Sequence, residues 1–475
     1  MQEISKTRTG IAGLDEITFG GLPANRPTLV CGSAGCGKTL LGLEFLLRGI
    51  LQFDEPGVFM SFEENTAELA ANVSSLGFDL ENFIEQGKLS VDHVILQKAD
   101  IEESGDYDLE GLFLRLNFAI ESVGAKRVVI DTIETLFSAL SDMSVLRAEL
   151  VRLFRWLKDR GVTTIVTGER GAGALTRNGL EEYVSDCVIL LDHRVQDRIS
   201  TRWLRVVKYR GTHHGTNEYP FLIDEQGISV LPVTSLSLDH AVYDDRISSG
   251  IDALDVMLGG IGYFRGTSIL VTGTAGSGKT SVVSHAADAA CRRGEKCIFF
   301  AFEESPLQIM RNLRSIGIDL QQWVDQGLLQ FFAVRPQFHG LEMHLLRMHR
   351  EIEQANPTLV IVDPMSAMSG SGLLADANIA LLRLMDFLKA RGVTGLFTIL
   401  YHGDDHNTTS DMGLSSMMDS WLGLHLRDQD GQRQRYMTIY KSRGAAHSNK
   451  VHQYKITGQG IKILLDDSQI QGKPA

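Results

Sequence analysis

The chain has 475 residues with a formal net charge of -13, 43% hydrophobic and 22% charged. That length exceeds what one hydrophobic core organises and implies two or three domains, while the acidic balance repels a phosphate backbone and argues against general nucleic-acid binding. No apolar run is long enough to span a bilayer, and MQEISKTRTGIAG lacks the apolar stretch of a signal peptide, so a cytoplasmic location without membrane attachment is expected. The five cysteines (Cys31, Cys36, Cys187, Cys291, Cys297) are odd in number and scattered without metal-ligand spacing; they read as reduced thiols.

In chain order, the apolar run PTLVCG reads as a buried strand and leads into Gly32-Ser33-Ala34-Gly35-Cys36-Gly37-Lys38-Thr39, which satisfies GxxxxGK[ST]. The amphipathic TLLGLEFLLRGILQ follows as a helix, so the motif stands between strand and helix as it must. Glycines there let backbone N–H groups curl around phosphates at a helix N-terminus; Lys38 would reach the β and γ phosphates and Thr39 would ligate Mg²⁺. GVFMSF then ends in Glu63 and Glu64, about 25 residues beyond the lysine, the spacing of strand, helix, loop and neighbouring strand. RVVID ends in Asp131, a candidate for the outer coordination of magnesium; capping the next helix is the bland alternative. VLRAELVRLFRWLKDRG is a helix with one apolar face, and TTIVTG and DCVILL complete the strands. Strands alternating with helices predict an α/β domain with a mostly parallel sheet covered on both faces.

The sequence then repeats itself. TGIAGLDEITFGGL returns as SGIDALDVMLGGIG, and NVSSLGFDLENFIEQGKLSV returns as NLRSIGIDLQQWVDQGLLQF. A second motif runs Gly273-Thr274-Ala275-Gly276-Ser277-Gly278-Lys279-Thr280, followed by Ser281. IFFAFEE supplies Glu303 and Glu304, LVIVD supplies Asp363, and KYRGTHH is echoed by KSRGAAH. Lys38 and Lys279 stand about 240 positions apart, far beyond solenoid periods, so these are tandem domains: 1–231 and 249–475, with 232–248 as a linker. Two copies in equivalent context argue against a chance lysine in a glycine-rich turn. At the end of a parallel strand, one glutamate of each pair could orient or deprotonate an attacking oxygen, and N-capping is the alternative. Arg210 and Arg443, each far along the chain from its own motif, could serve as arginine fingers for a neighbour's γ-phosphate.

In these blocks and their order the chain resembles the KaiC family of circadian clock proteins over nearly its whole length. The resemblance implies two RecA-like P-loop NTPase domains that stack as a double-ring homohexamer with ATP at subunit interfaces. It further implies a first ring that hydrolyses ATP slowly and a second that phosphorylates, and removes phosphate from, its own serine/threonine residues. By position, ATP contacts in the first ring would be Gly35, Cys36, Gly37, Lys38, Thr39, Leu40, Ser75, Lys208, Arg210, Thr212 and His214. In the second they would be Ala275, Gly276, Ser277, Gly278, Lys279, Thr280, Ser281, Arg435, Lys441, Arg443 and His447. Glu63 and Glu64 match the carboxylates of hydrolysis and Glu303 and Glu304 those of the kinase, with Glu303 the preferred base; Mg²⁺ would sit on Thr39 and Thr280, with Asp131 and Asp363 behind.

The acceptors implied are Ser415 and Ser416 in GLSSMMDSW, with Ser410 as a transient third. The internal repeat sets Ser415 and Ser416 opposite Glu181 and Glu182, so phosphorylation would make the second copy electrostatically more like the first. A KaiB-like partner on the first ring is expected. The last repeated block ends near Leu465, where the family carries a longer tail engaged by its activator KaiA; the short remainder predicts loss of that contact and constitutive autophosphorylation outside a clock. A recombinase or helicase of the same fold, driven by DNA, is disfavoured by the acidic balance and the lack of a basic, aromatic-rich loop, and an ATP-sensing scaffold by the glutamate pairs.

Overall fold

The computed structural model describes residues 4–94, 110–137, 143–171, 185–196, 199–232, 242–335, 340–367, 374–400, 417–429 and 431–465. The chain divides into two units, Met1–Thr234 and Ser235–Ala475. Arg246–Ile247, inside the span read as linker, already pairs antiparallel with Tyr263–Phe264 of the second unit.

Each unit is built on a nine-stranded sheet. In the first, the order is Gly227–Val230, Glu218–Asp224, Ile199–Tyr209, Cys187–Gln196, Pro27–Gly32, Thr163–Glu169, Arg127–Asp131, Gly57–Ser61, Leu89–His93. The six strands from Cys187–Gln196 to Leu89–His93 are mutually parallel, and the other three close the edge as antiparallel hairpins. The second unit repeats this: Leu329–Ala333, Cys297–Ala301, Leu359–Asp363, Thr394–Leu400, Ser268–Gly273 and Ser420–Gln429 are parallel, followed by Gln432–Ser442, His452–Thr457 and Gly460–Ile463.

The pleat divides the apolar runs between two cores. Phe59 packs with Leu41, Phe45 and Leu46 of the helix Lys38–Phe53, whereas its neighbours Val58 and Met60 pack with Leu116 and Phe154 on the other face. Continuous apolar strands are therefore required, and all five central runs read from the sequence are strands.

The closing hairpin is clasped to the P-loop helix differently in the two units. Glu44 Oε2 accepts the Ile228 N–H at 2.7 Å. Its repeat counterpart, His285, accepts the Ile461 N–H on Nε2 at 3.3 Å and donates from Nδ1 to the Ser281 carbonyl at 2.8 Å, an arrangement only the neutral ring can make. Burial pushes the His285 imidazole below the ordinary histidine range, against the pull of the Ser281 carbonyl and Asp288. Burial, with Arg391 and Arg383 nearby, takes His349 down to about 3. A depressed pKa means the unfolded chain binds more protons, so this stability is present above about 6.5 and is lost as pH falls below it. The melting temperature is expected to fall between neutral pH and about 5.5, and His285→Gln, which keeps an acceptor but takes no proton, to lessen that dependence in a pH series of thermal melts, His349 keeping the remainder.

A duplicated nucleotide crevice as the candidate functional site

All parallel strands of a unit point their carboxyl ends to one edge, and the P-loop lies there. Gly37 and Gly278 begin the P-loop helices at φ 103° and 95°, a left-handed conformation that side chains disfavour. Gly35 and Gly276 are also left-handed, and Cys36 and Ser277 are buried beneath the loops. Lys38 Nζ donates to the carbonyls of Gly32 (3.0 Å) and Ser33 (3.1 Å), and Lys279 Nζ to those of Gly273 (2.9 Å) and Thr274 (3.0 Å). Each ammonium thus lies across the concavity of its own loop. Leu40 and Ser281 occupy the next helical position after Thr39 and Thr280, half-buried.

Thr39 Oγ1 donates to Asp131 Oδ2 at 2.8 Å, and Thr167 donates to the other oxygen; Thr280 and Thr398 treat Asp363 in the same way. Burial raises both aspartates above the usual carboxylate range, against these hydroxyls and the P-loop lysines. A buried carboxylate facing a hydroxyl at a helix N-terminus is a hard-oxygen donor set that fits Mg²⁺, whose remaining ligands in such sites are phosphates and water. Among the described residues no group of three or more His, Cys, Asp or Glu could hold a metal alone.

The glutamate pairs sit beside these aspartates, because Ser61 pairs with Asp131 and Ala301 with Asp363. Glu64 accepts from Asn72 Nδ2 at 3.1 Å, and Glu304 from Asn312 Nδ2 at 3.3 Å. Burial raises Glu64, against the Asn72 bond and with repulsion from Asp131, Glu68 and Glu63. Glu63 Oε1 accepts from Thr132 (3.0 Å) and Thr135 (3.1 Å). Ser75 closes the helix Thr66–Ser74 one turn beyond Asn72, and so shares its face.

The basic residues lie elsewhere. Tyr209 pairs with Cys187, which pairs with Thr28, so Lys208 and Arg210 stand at the amino edge of the sheet. Pro27–Gly32 separates them from their own P-loop by about 17 Å. The Arg210 N–H donates to the Asp186 carbonyl at 2.9 Å, and Asp186, with 4% of its side chain exposed, pairs with Lys158 at 2.6 Å and Arg210 at 3.7 Å. Asp419 repeats this with Lys389 at 2.8 Å and Arg443 at 3.9 Å, the Arg443 N–H meeting the Asp419 carbonyl. Thr212, and His214 stacked near Tyr209, complete the first cluster; Lys441 and His447 join the second.

Arg435 does not belong with them. It lies at the opposite end of its strand and donates to the Gly276 carbonyl of its own P-loop at 3.3 Å. Its counterpart Arg202, close enough to Cys36 to act on that thiol, was not singled out from the sequence, nor were Asn72, Asn312, Thr132, Thr135, Asp186 and Asp419. The repeat could have flagged the asparagines, which share one position of duplicated blocks. Ser410, Ser415, Ser416, Glu181 and Glu182 lie outside the described residues.

Two P-loops, each with an aspartate, a glutamate pair and a parallel sheet, define a duplicated P-loop ATPase. A family profile described as "ATPase: KaiC" matches residues 7–235 and again 247–468, and the chain belongs to the KaiC family. It is 52% identical over 461 residues to circadian clock protein KaiC2 of Synechocystis sp. (strain PCC 6803), covering 97% of this chain and 81% of that protein. It is 37% identical over 468 residues to the circadian clock oscillator protein KaiC of Synechococcus elongatus (97% and 89% covered) and, over the same length, to that of Parathermosynechococcus lividus (98% and 86%). The fold is accordingly RecA-like in both halves. No helix among the described residues is long and apolar enough to cross a membrane.

Lys38→Ala and Lys279→Ala should each remove the nucleotide of one unit, halving the ATP and ADP released per chain on denaturation, while the double variant carries about a tenth or less of the wild-type load.

Proposed function

We propose that this protein is a KaiC-type ATPase and serine autokinase, bound to ATP and Mg²⁺ and assembled as a homohexamer in the cytoplasm, whose phosphorylation state serves as a timer or signalling switch. The observation that carries the reading is the separation of each P-loop from its own lysine–arginine cluster by the length of a sheet strand. A nucleotide held at one unit's carboxyl edge can meet such cations only from the amino edge of another unit, and in a ring of like units that unit belongs to the next copy, so the complete site is intermolecular. Arg435, by contrast, serves the nucleotide in its own P-loop.

The acceptors are read from their place in the sequence. Ser415 and Ser416 immediately precede Met417, in a chain that enters its strand through Asp419, the residue that anchors Arg443. This nearness in sequence to the anchor of Arg443 supports reading both serines as acceptors. Lys279 and the loop amides bind the β and γ phosphates, and Lys441 and Arg443 of the next copy face the transferring group. Thr280, with Asp363 behind it, would hold magnesium, which would supply charge neutralisation to the phosphates. The serine oxygen forms a bond to the γ phosphorus as the bridging oxygen leaves with ADP, and Glu303 takes the serine proton. In the first unit water takes the place of serine, with Glu63 and Glu64 beside it. A KaiB-like partner for the first ring follows from the kinship with clock proteins; a DNA-driven ATPase is not favoured.

After incubation with ATP and Mg²⁺, phosphosite mapping should find label on Ser415 or Ser416. Ser415→Ala with Ser416→Ala should abolish it while sparing most ATP hydrolysis. Absence of label from residues 408–420 under all conditions contradicts the kinase reading.

A further inference from the structure

The two units serve as controls for each other, and one difference stands out beside the shared chemistry. Glu64 and Glu304 are held alike, by Asn72 and Asn312. The first glutamates are not. Glu63 Oε1 receives the hydroxyls of Thr132 and Thr135, which also lie 3.2 Å from each other. The corresponding positions of the second unit, counted from Asp131 and Asp363, are Pro364 and Ala367, which have no hydroxyl. Among the described residues Glu303 has no hydrogen-bond partner, and its carboxylate acts instead on Lys279.

A carboxylate oxygen offers two lone pairs, and the two threonines occupy both on Glu63 Oε1. We propose that Thr135 is a positioning residue that restrains Glu63, holding the first unit to slow hydrolysis, and that its replacement by Ala367 leaves Glu303 free to turn toward a bulky serine hydroxyl. The inference rests on the ATPase reading above. Thr132 alone, at 3.0 Å, suffices to keep Glu63 in place, so removal of Thr135 returns acceptor capacity to the carboxylate without displacing it. Thr135 makes no step itself: an attacking water still gives its proton to Glu63, and the γ-phosphoryl still leaves ADP for that water's oxygen.

The test uses the full chain with Lys279→Ala, so that hydrolysis comes from the first unit. Thr135→Val, which keeps the shape and removes the hydroxyl, should raise kcat about two- to five-fold with an unchanged KM for ATP. Thr135→Ser, which restores the hydroxyl, should return kcat to that of the parent. A valine variant with kcat at or below the parent, or a serine variant that tracks valine, overturns the proposal while leaving the ATPase reading intact. A parent that hydrolyses no ATP overturns the ATPase reading and the restraint with it.

Discussion

The polarity of a parallel sheet is the constraint on which everything else in this protein depends. Because βαβ connections bring every strand back in the same direction, all carboxyl ends gather at one edge, where P-loop, aspartate and glutamate pair converge from strands distant in sequence. The same polarity sends the return strand Ile199–Tyr209, and its copy Gln432–Ser442, back to the far edge with their lysine and arginine. A unit therefore presents a phosphate cradle at one edge and phosphate-seeking cations at the other. Within one unit no local adjustment closes that gap.

Burial sets the electrostatics of the crevice. Asp131 and Asp363 are buried charges whose main compensation comes from hydroxyls, with the P-loop lysines nearby. Lys279 is itself pushed below the usual lysine range by burial, against Asp363 and Glu303. Such a site gains from a divalent cation and a polyphosphate together, since each supplies the charge the other lacks. At the amino edge, Asp186 and Asp419 do the reverse work: the carboxylate, buried in Asp186 and half-buried in Asp419, gathers a lysine and an arginine, while the backbone carbonyl of the same aspartate receives the arginine N–H, so the cations are held in place.

The P-loops, the strands around them and the duplication were legible in the sequence because backbone geometry demands glycine at set spacings and buried parallel strands demand unbroken apolar runs. Relations across space were less legible. Arg435 and Lys441 are six residues apart and look like one basic cluster, yet in an extended strand that separation is about 20 Å, enough to put them at opposite edges of the sheet. Asn72, Asp186 and Thr135 are ordinary residues in a helix, a strand entrance and a short helix; their meaning lies in which carboxylate or arginine they touch. The serines offered no local signal; the family resemblance singled them out, and the duplication, which sets them opposite Glu181 and Glu182, supported it.

The account's central claim is that phosphate passes between copies, and a mixing experiment tests it most directly. Subunits with Lys279→Ala keep their serines and Arg443 but lack a working second P-loop; subunits with Ser415→Ala and Ser416→Ala keep the P-loop but lack acceptors. Neither alone should incorporate label into residues 408–420. Co-assembled with ATP and Mg²⁺, the Lys279→Ala chains should become phosphorylated at Ser415 or Ser416. Mixed assemblies that form and remain unlabelled, beside a wild-type chain that labels itself, would contradict it.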